Sequence, residues 1–96
     1  MEPYQIEHLV DTIDEDEQVI QTYNYWIYRF EGNGAYVWAR AYADDVKVVS
    51  VFGPFKSPAE LIPVQNRQLF REVASYLRVR FTDVQMLGAD GYVKVP

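Results

Sequence analysis

The chain contains no cysteine and a single histidine, His8. A disulfide framework, a thiolate metal site and a cysteine nucleophile are therefore excluded. With one histidine, a transition-metal site would have to be built from carboxylates alone, so no metal centre and no cofactor are expected. Apolar runs are short, far below the roughly 20 residues a membrane-spanning helix requires. Met1-Glu2-Pro3-Tyr4 lacks a basic stretch leading into an apolar one, so no secretory signal is expected and the cytoplasm is the expected location.

Lysine and arginine are missing from the first 17 positions, where seven of the 14 acids lie: Glu2, Glu7, Asp11, Asp14, Glu15, Asp16 and Glu17. All nine Lys and Arg share residues 18–96 with the other seven acids, so a chain of net charge −5 has a mildly basic body and an acidic end. Such an end keeps a chain in solution; less commonly it imitates nucleic acid or inhibits a basic protein. The run Asp14-Glu15-Asp16-Glu17 has neither the glycine nor the closing glutamate of a calcium loop.

Catalytic patterns are also missing. Gly32-Asn33-Gly34 has the composition of a hairpin turn rather than a phosphate loop, and no nucleophile elbow surrounds Ser50, Ser57 or Ser75. The acidic cluster has no apolar surroundings that would raise a carboxyl pKa. Neither an enzyme nor a small-molecule substrate is inferred.

What remains is 96 residues, 49% hydrophobic and 16% aromatic, enough for one domain with one modest core. Ile6, Leu9, Val10 and Ile13 fall at i, i+3, i+4 and i+7, which predicts an amphipathic helix over 4–14. A strand is the competing reading of so short a segment. From Gln18 to Phe52 the residues are those of strands, rich in Tyr, Trp, Val and Ile. Asn33-Gly34 is a strong hairpin signal; it predicts Gly32 opposite Ala35, Phe30 opposite Val37 and Arg29 opposite Trp38. A second turn at Asp44-Asp45 would set Ala41 opposite Val48 and Val37 opposite Phe52. The result is a three-stranded meander over about 18–31, 35–43 and 46–52, ended by Gly53-Pro54.

Ser57-Pro58-Ala59-Glu60 has the pattern of a capped helix start. Pro63 interrupts it, and a longer helix is expected over 64–78 with Phe70, Val73, Ala74 and Leu77 on its buried face. Gly88-Ala89-Asp90-Gly91 separates two short runs and predicts a C-terminal hairpin over 84–95. The fold class expected is α+β, with helices mainly on one face of the meander.

The two faces of that meander differ. One, with Trp26, Tyr28, Phe30, Val37, Ala39, Ala41, Ala43, Val46, Val48 and Phe52, is the expected core. The other carries Tyr23, Tyr25, Ile27, Arg29, Tyr36, Trp38, Arg40, Tyr42, Lys47, Val49 and Val51. Tyr, Trp and Arg dominate binding energy at protein interfaces, and monomers seldom expose large contiguous apolar patches. The expected interaction residues are Tyr25, Arg29, Tyr36, Trp38, Arg40 and Tyr42, with Arg29 and Trp38 placed for a cation–π contact. Cover by the N-terminal helix and a merely solvated face are the competing readings. The expected function is a non-catalytic protein-interaction or regulatory module, its partner another protein or a second copy in a homodimer. Single-stranded nucleic acid is the alternative ligand of this face; the missing RNP signature and the net charge weigh against it.

Overall fold

Val, Ile, Thr, Tyr and Trp crowd the stretch from Gln18 to Gly32, side chains that suit a pleated backbone, and it forms one 15-residue strand, β2 (Gln18–Gly32). Asn33 and Gly34 follow with φ of 52° and 73°, the two positive values that a type I′ turn requires. They return the chain as β3 (Ala35–Tyr42), in the predicted register from Gly32 opposite Ala35 to Tyr25 opposite Tyr42. The computed structural model describes residues 1–88 and 91–96.

The N-terminal segment corrects the first expectation. Residues 4–14 are not helical: Gln5–Glu15 is a strand, β1, running antiparallel to β2 from Gln5 opposite Arg29 to Glu15 opposite Gln18. A helix there would have placed Asp11 and Asp14 toward the negative end of its own dipole and left β2 with an unpaired edge. As a strand the same aliphatics divide by alternation, Ile6 and Val10 to one face, Leu9 and Ile13 to the other. Asp16 and Glu17 make the connecting turn, both at positive φ (51° and 65°).

The third strand corrects the second expectation. Asp44-Asp45 is not a two-residue hairpin turn; the connection runs to Lys47, and β4 spans Val48–Phe55. Ala39 therefore faces Val51 and Trp38 faces Phe52, one position away from the expected register. A one-residue slip turns every side chain to the opposite face, so Val49 and Val51 enter the core while Val48 and Phe52 leave it. Val46, expected in the core, is exposed. The register shifts again between Tyr36 and Trp38, across Gly53 and Pro54. Gly53 has φ of 115°, and a Cβ there would lie 2.9 Å from the carbonyl oxygen of Tyr36. Glycine is required at this bulge.

Ser57-Pro58-Ala59-Glu60 begins no helix. The Glu60 amide does donate to Ser57 Oγ at 3.0 Å, but Ser57 and Glu60 also exchange backbone hydrogen bonds, and the Lys56 amide donates to the Ile62 carbonyl. With Phe55 bridged to Pro63, residues 55–63 form a hook that folds back on itself. The helix follows as α1 (Arg67–Arg80) rather than 64–78, because the side chain of Asn66 is its N-cap and accepts from the Leu69 amide.

After α1 the chain returns as β5 (Asp83–Gly88), parallel to β4, and then β6 (Gly91–Lys94), antiparallel to β5. The expected C-terminal hairpin is thus part of the same sheet; its turn residues Ala89 and Asp90 lie outside the described residues. The expected three-stranded meander with helices over 4–14 and 64–78 is replaced, among the described residues, by a six-stranded mixed sheet in the order β1-β2-β3-β4-β5-β6 with one helix.

Leu69, Val73, Ala74 and Leu77 of α1 pack on Phe30, Val37, Ala39, Val49 and Val51 of the sheet, all buried. Phe70 is only half-buried at the margin. Ala39 and Ala41 leave room for the helix to approach β3 closely. At the far edge Val95 joins the core, held by the Arg78 guanidinium, which donates to its carbonyl at 2.9 Å. The helix covers only one side of the sheet. Among the described residues no helix is long and apolar enough to cross a membrane.

Candidate interaction surface

Alternation along β2 and β3 sends Tyr25, Ile27, Arg29, Tyr36, Trp38, Arg40 and Tyr42 to the side of the sheet opposite α1. Among the described residues no helix covers this open face. The strand β1 lies beside it instead, contributing Glu7, Leu9 and Asp11, and the hook reaches over it with Pro58 and Leu61. Together these enclose an open groove of about 480 Å³ lined by Leu9, Tyr25, Ile27, Arg29, Tyr36, Trp38, Arg40, Pro58 and Leu61. Five of the six expected interaction residues line it. Tyr42 stands just outside, its ring 5.7 Å from that of Tyr25.

The floor is apolar and closed. Ile27 and Tyr36 are buried, and burial pushes the Tyr36 hydroxyl above the ordinary tyrosine pKa despite the opposing charge of Arg29. At the β1 side, the Tyr25 hydroxyl donates to Asp11 Oδ2 at 2.7 Å, and this hydrogen bond to a carboxylate raises its pKa.

The two arginines differ. Arg29 Nη1 donates to Glu7 Oε1 at 3.0 Å, so its charge is answered within the fold. Arg29 and Trp38 are cross-strand partners as expected, but Trp38 spends one ring face on Phe52, with centroids 4.1 Å apart and planes at 17°. The cation–π contacts belong to Arg40 instead, whose guanidinium carbon lies 5.2 Å from the Tyr42 ring centre and 5.4 Å from that of Phe52. Arg40 Nη2 makes a long hydrogen bond of 3.4 Å to Tyr92 Oη. Its buried Nε finds no acceptor, and among the described residues no carboxylate pairs with it. A guanidinium near two rings and without a carboxylate partner among the described residues can take an anionic group.

No known family, curated protein or solved structure matches this chain. The chemistry of the surface therefore carries the functional argument. His8 stacks on Trp26 with centroids 4.6 Å apart and hydrogen-bonds Asn24, on the helix side of the sheet. Ser50 pairs with Arg40 on the open side, Ser57 is engaged by the Glu60 amide, and the helical Ser75 is exposed. Histidine and serines are not brought together. Two arginines near the end of α1 are committed within the fold, Arg78 on Val95 and Arg80 at 3.7 Å over the Tyr76 ring.

Sequence reasoning missed participants on both sides of the groove, Pro58, Glu7 and Asp11 among them. Phe52 and Tyr92 wall the Arg40 side, and Leu9 and Leu61 wall the β1 side. Phe52 was legible in principle: Val49 and Val51 form a β-branched pair suited to the core, which would send Phe52 outward. Leu61 carried no signal, because the hook is set by backbone hydrogen bonds far from any hydrophobic period.

Proposed function

We propose that this chain is a small non-catalytic interaction module that binds a protein, another chain or a second copy of itself, through the open face of its sheet. Arg40 carries the reading: it is central, flanked by rings, adjacent to an apolar groove and without a carboxylate partner among the described residues. Ile27, Trp38 and Leu61 offer apolar contact area, and Arg40 offers an orienting, charge-assisted hydrogen bond; hot spots at interfaces are commonly built from such pairs. The chemistry favours a protein over single-stranded nucleic acid. One of the two groove arginines is neutralised by Glu7, and Trp38 already stacks on Phe52, which leaves little for phosphates and bases.

The test is affinity purification from the native cell with the wild-type chain and with Trp38→Ala combined with Arg40→Ala, alongside circular dichroism and light scattering. Loss of association by a folded double variant is expected. Unchanged partners and unchanged mass would overturn the reading.

A further inference from the structure

The net charge of −5 is not shared by the whole open face. β3 pairs with β2 only from Tyr25 to Gly32, so β1 and β2 run on beyond it as a two-stranded arm, exposed from Val10 to Asn24, with Asp14, Glu15, Asp16 and Glu17 at its tip. Nearer the body, Glu7 is held by Arg29 and Asp11 by the Tyr25 hydroxyl. Across β3 to β6 the balance is reversed. Arg40 pairs with Ser50, Ser50 with Gln85 and Gln85 with Lys94. Directly paired residues share a face, so these four side chains make one row on the open side, with a cation at each end. Arg40 also meets Tyr92, two positions before Lys94 on β6. Asp83, the acid of β5, accepts from the Gln85 amide at 3.1 Å, and among the described residues neither Arg40 nor Lys94 has a carboxylate partner.

Arg40 is short of acceptors. A guanidinium has five N–H donors; here one makes the 3.4 Å contact with Tyr92, and the buried Nε makes none. Buried donors left without a partner are rare. We propose that the open face takes an extended, acidic segment of another protein, a carboxylate of which is bound by Arg40. The flat, two-oxygen carboxylate matches the guanidinium fork, and the Ser50 and Tyr92 hydroxyls stand beside it as neutral donors. A second acid of the segment is drawn towards Lys94. On the other side of Arg40 the groove is aliphatic, walled by Leu9, Ile27 and Leu61, and takes an aliphatic side chain next to the acid. A basic segment is repelled by the same two cations. A nucleic-acid strand has phosphates for the row but no aliphatic side chain for the groove. The assignment rests on the interaction reading of the open face and names the chemistry of what it binds.

Peptide selection from a random library on the pure full chain tests it, with oligothymidine and inorganic phosphate titrated alongside. Selected peptides should carry Asp or Glu beside Leu, Ile or Val. A synthetic copy of a selected peptide should lose about tenfold or more in affinity for Arg40→Gln and less for Lys94→Gln. Arg67→Gln, the same charge change on α1 at the other side of the sheet, should leave the affinity unchanged. Circular dichroism checks that each variant is folded, and the Arg40 Nε–H resonance of the wild type should shift on binding. A selection that yields nothing, peptides without acids, or equal losses for Arg40→Gln and Arg67→Gln overturn the proposal, as does tighter binding of oligothymidine or phosphate than of any peptide. A wild-type dimer by light scattering that Arg40→Gln dissociates names a second copy instead and overturns it too. If the peptide arm fails while Trp38→Ala with Arg40→Ala still loses a cellular partner, only the acidic chemistry fails. If that double variant keeps every partner, the broader reading of the face falls with it.

Discussion

Trp38 and Phe52 lie flat against one another across β3 and β4, with ring centroids 4.1 Å apart and planes inclined by 17°. This contact marks the register that puts Val49 and Val51 under the helix and builds the wall around Arg40. Aromatic pairs add about 0.5–1.5 kcal/mol beyond their buried area. A double-mutant cycle of Trp38→Ala and Phe52→Ala, read by urea unfolding, should return a coupling of about that size. A coupling near zero would mean the rings do not meet.

The register itself can be checked by removing methyl groups. Val51→Ala should cost about 1–3 kcal/mol, because a side chain 2% exposed leaves a cavity. Val46→Ala should stay within about 0.5 kcal/mol, since Val46 is 71% exposed. Reversed magnitudes in chemical denaturation would restore the register with Asp44-Asp45 as a tight turn.

Gly53→Ala should be costly for a different reason. Its φ of 115° disfavours any side chain, and the new Cβ would crowd the Tyr36 carbonyl at 2.9 Å. A loss of about 1–3 kcal/mol is expected, seen as a lower denaturation midpoint with an unchanged slope. Full stability in this variant would show that the bulge tolerates a side chain.

At the tip of the arm the opposite sign is expected. Glu17 holds a φ of 65° without being glycine, a conformation that costs an L-residue roughly 1 kcal/mol. Glu17→Gly relieves that strain and removes one of four consecutive acids. Amide hydrogen exchange should slow along the arm's cross-strand hydrogen bonds, and exchange that is unchanged or faster would argue against this turn.

Stability should also fall at alkaline pH. The pKa values of Tyr28 and Tyr36 are raised by burial and that of Tyr25 chiefly by its hydrogen bond to Asp11. A folded-state value above the unfolded one favours the protonated phenol, so the contribution is complete below about pH 10 and is lost as the pH rises through the folded-state values. Urea midpoints measured from about pH 8 upward should drop beyond about pH 10, with a shallower drop for Tyr36→Phe. A midpoint that does not fall there would contradict the burial of these phenols.

Local chemistry is legible in the chain itself. Asn33-Gly34 sets the β2–β3 register through the dihedral angles those two residues accept, and with it the common face of Tyr25, Arg29, Tyr36, Trp38, Arg40 and Tyr42. The charge division between residues 1–17 and the rest also needs no structure. Tertiary structure decided what local pattern leaves degenerate. Ile6, Leu9, Val10 and Ile13 fit a helix and a strand alike, and the long unpaired edge of β2 selected the strand. Asp44-Asp45 allowed a tight turn, but burying Val49 and Val51 beneath α1 outweighed it and turned Phe52 outward. Backbone angles at a turn depend on two residues, whereas the pairing of an edge and the filling of a core depend on residues far apart in the chain. For that reason the aromatic face could be read from the sequence, while its groove, its overhanging hook and its acidic arm could not.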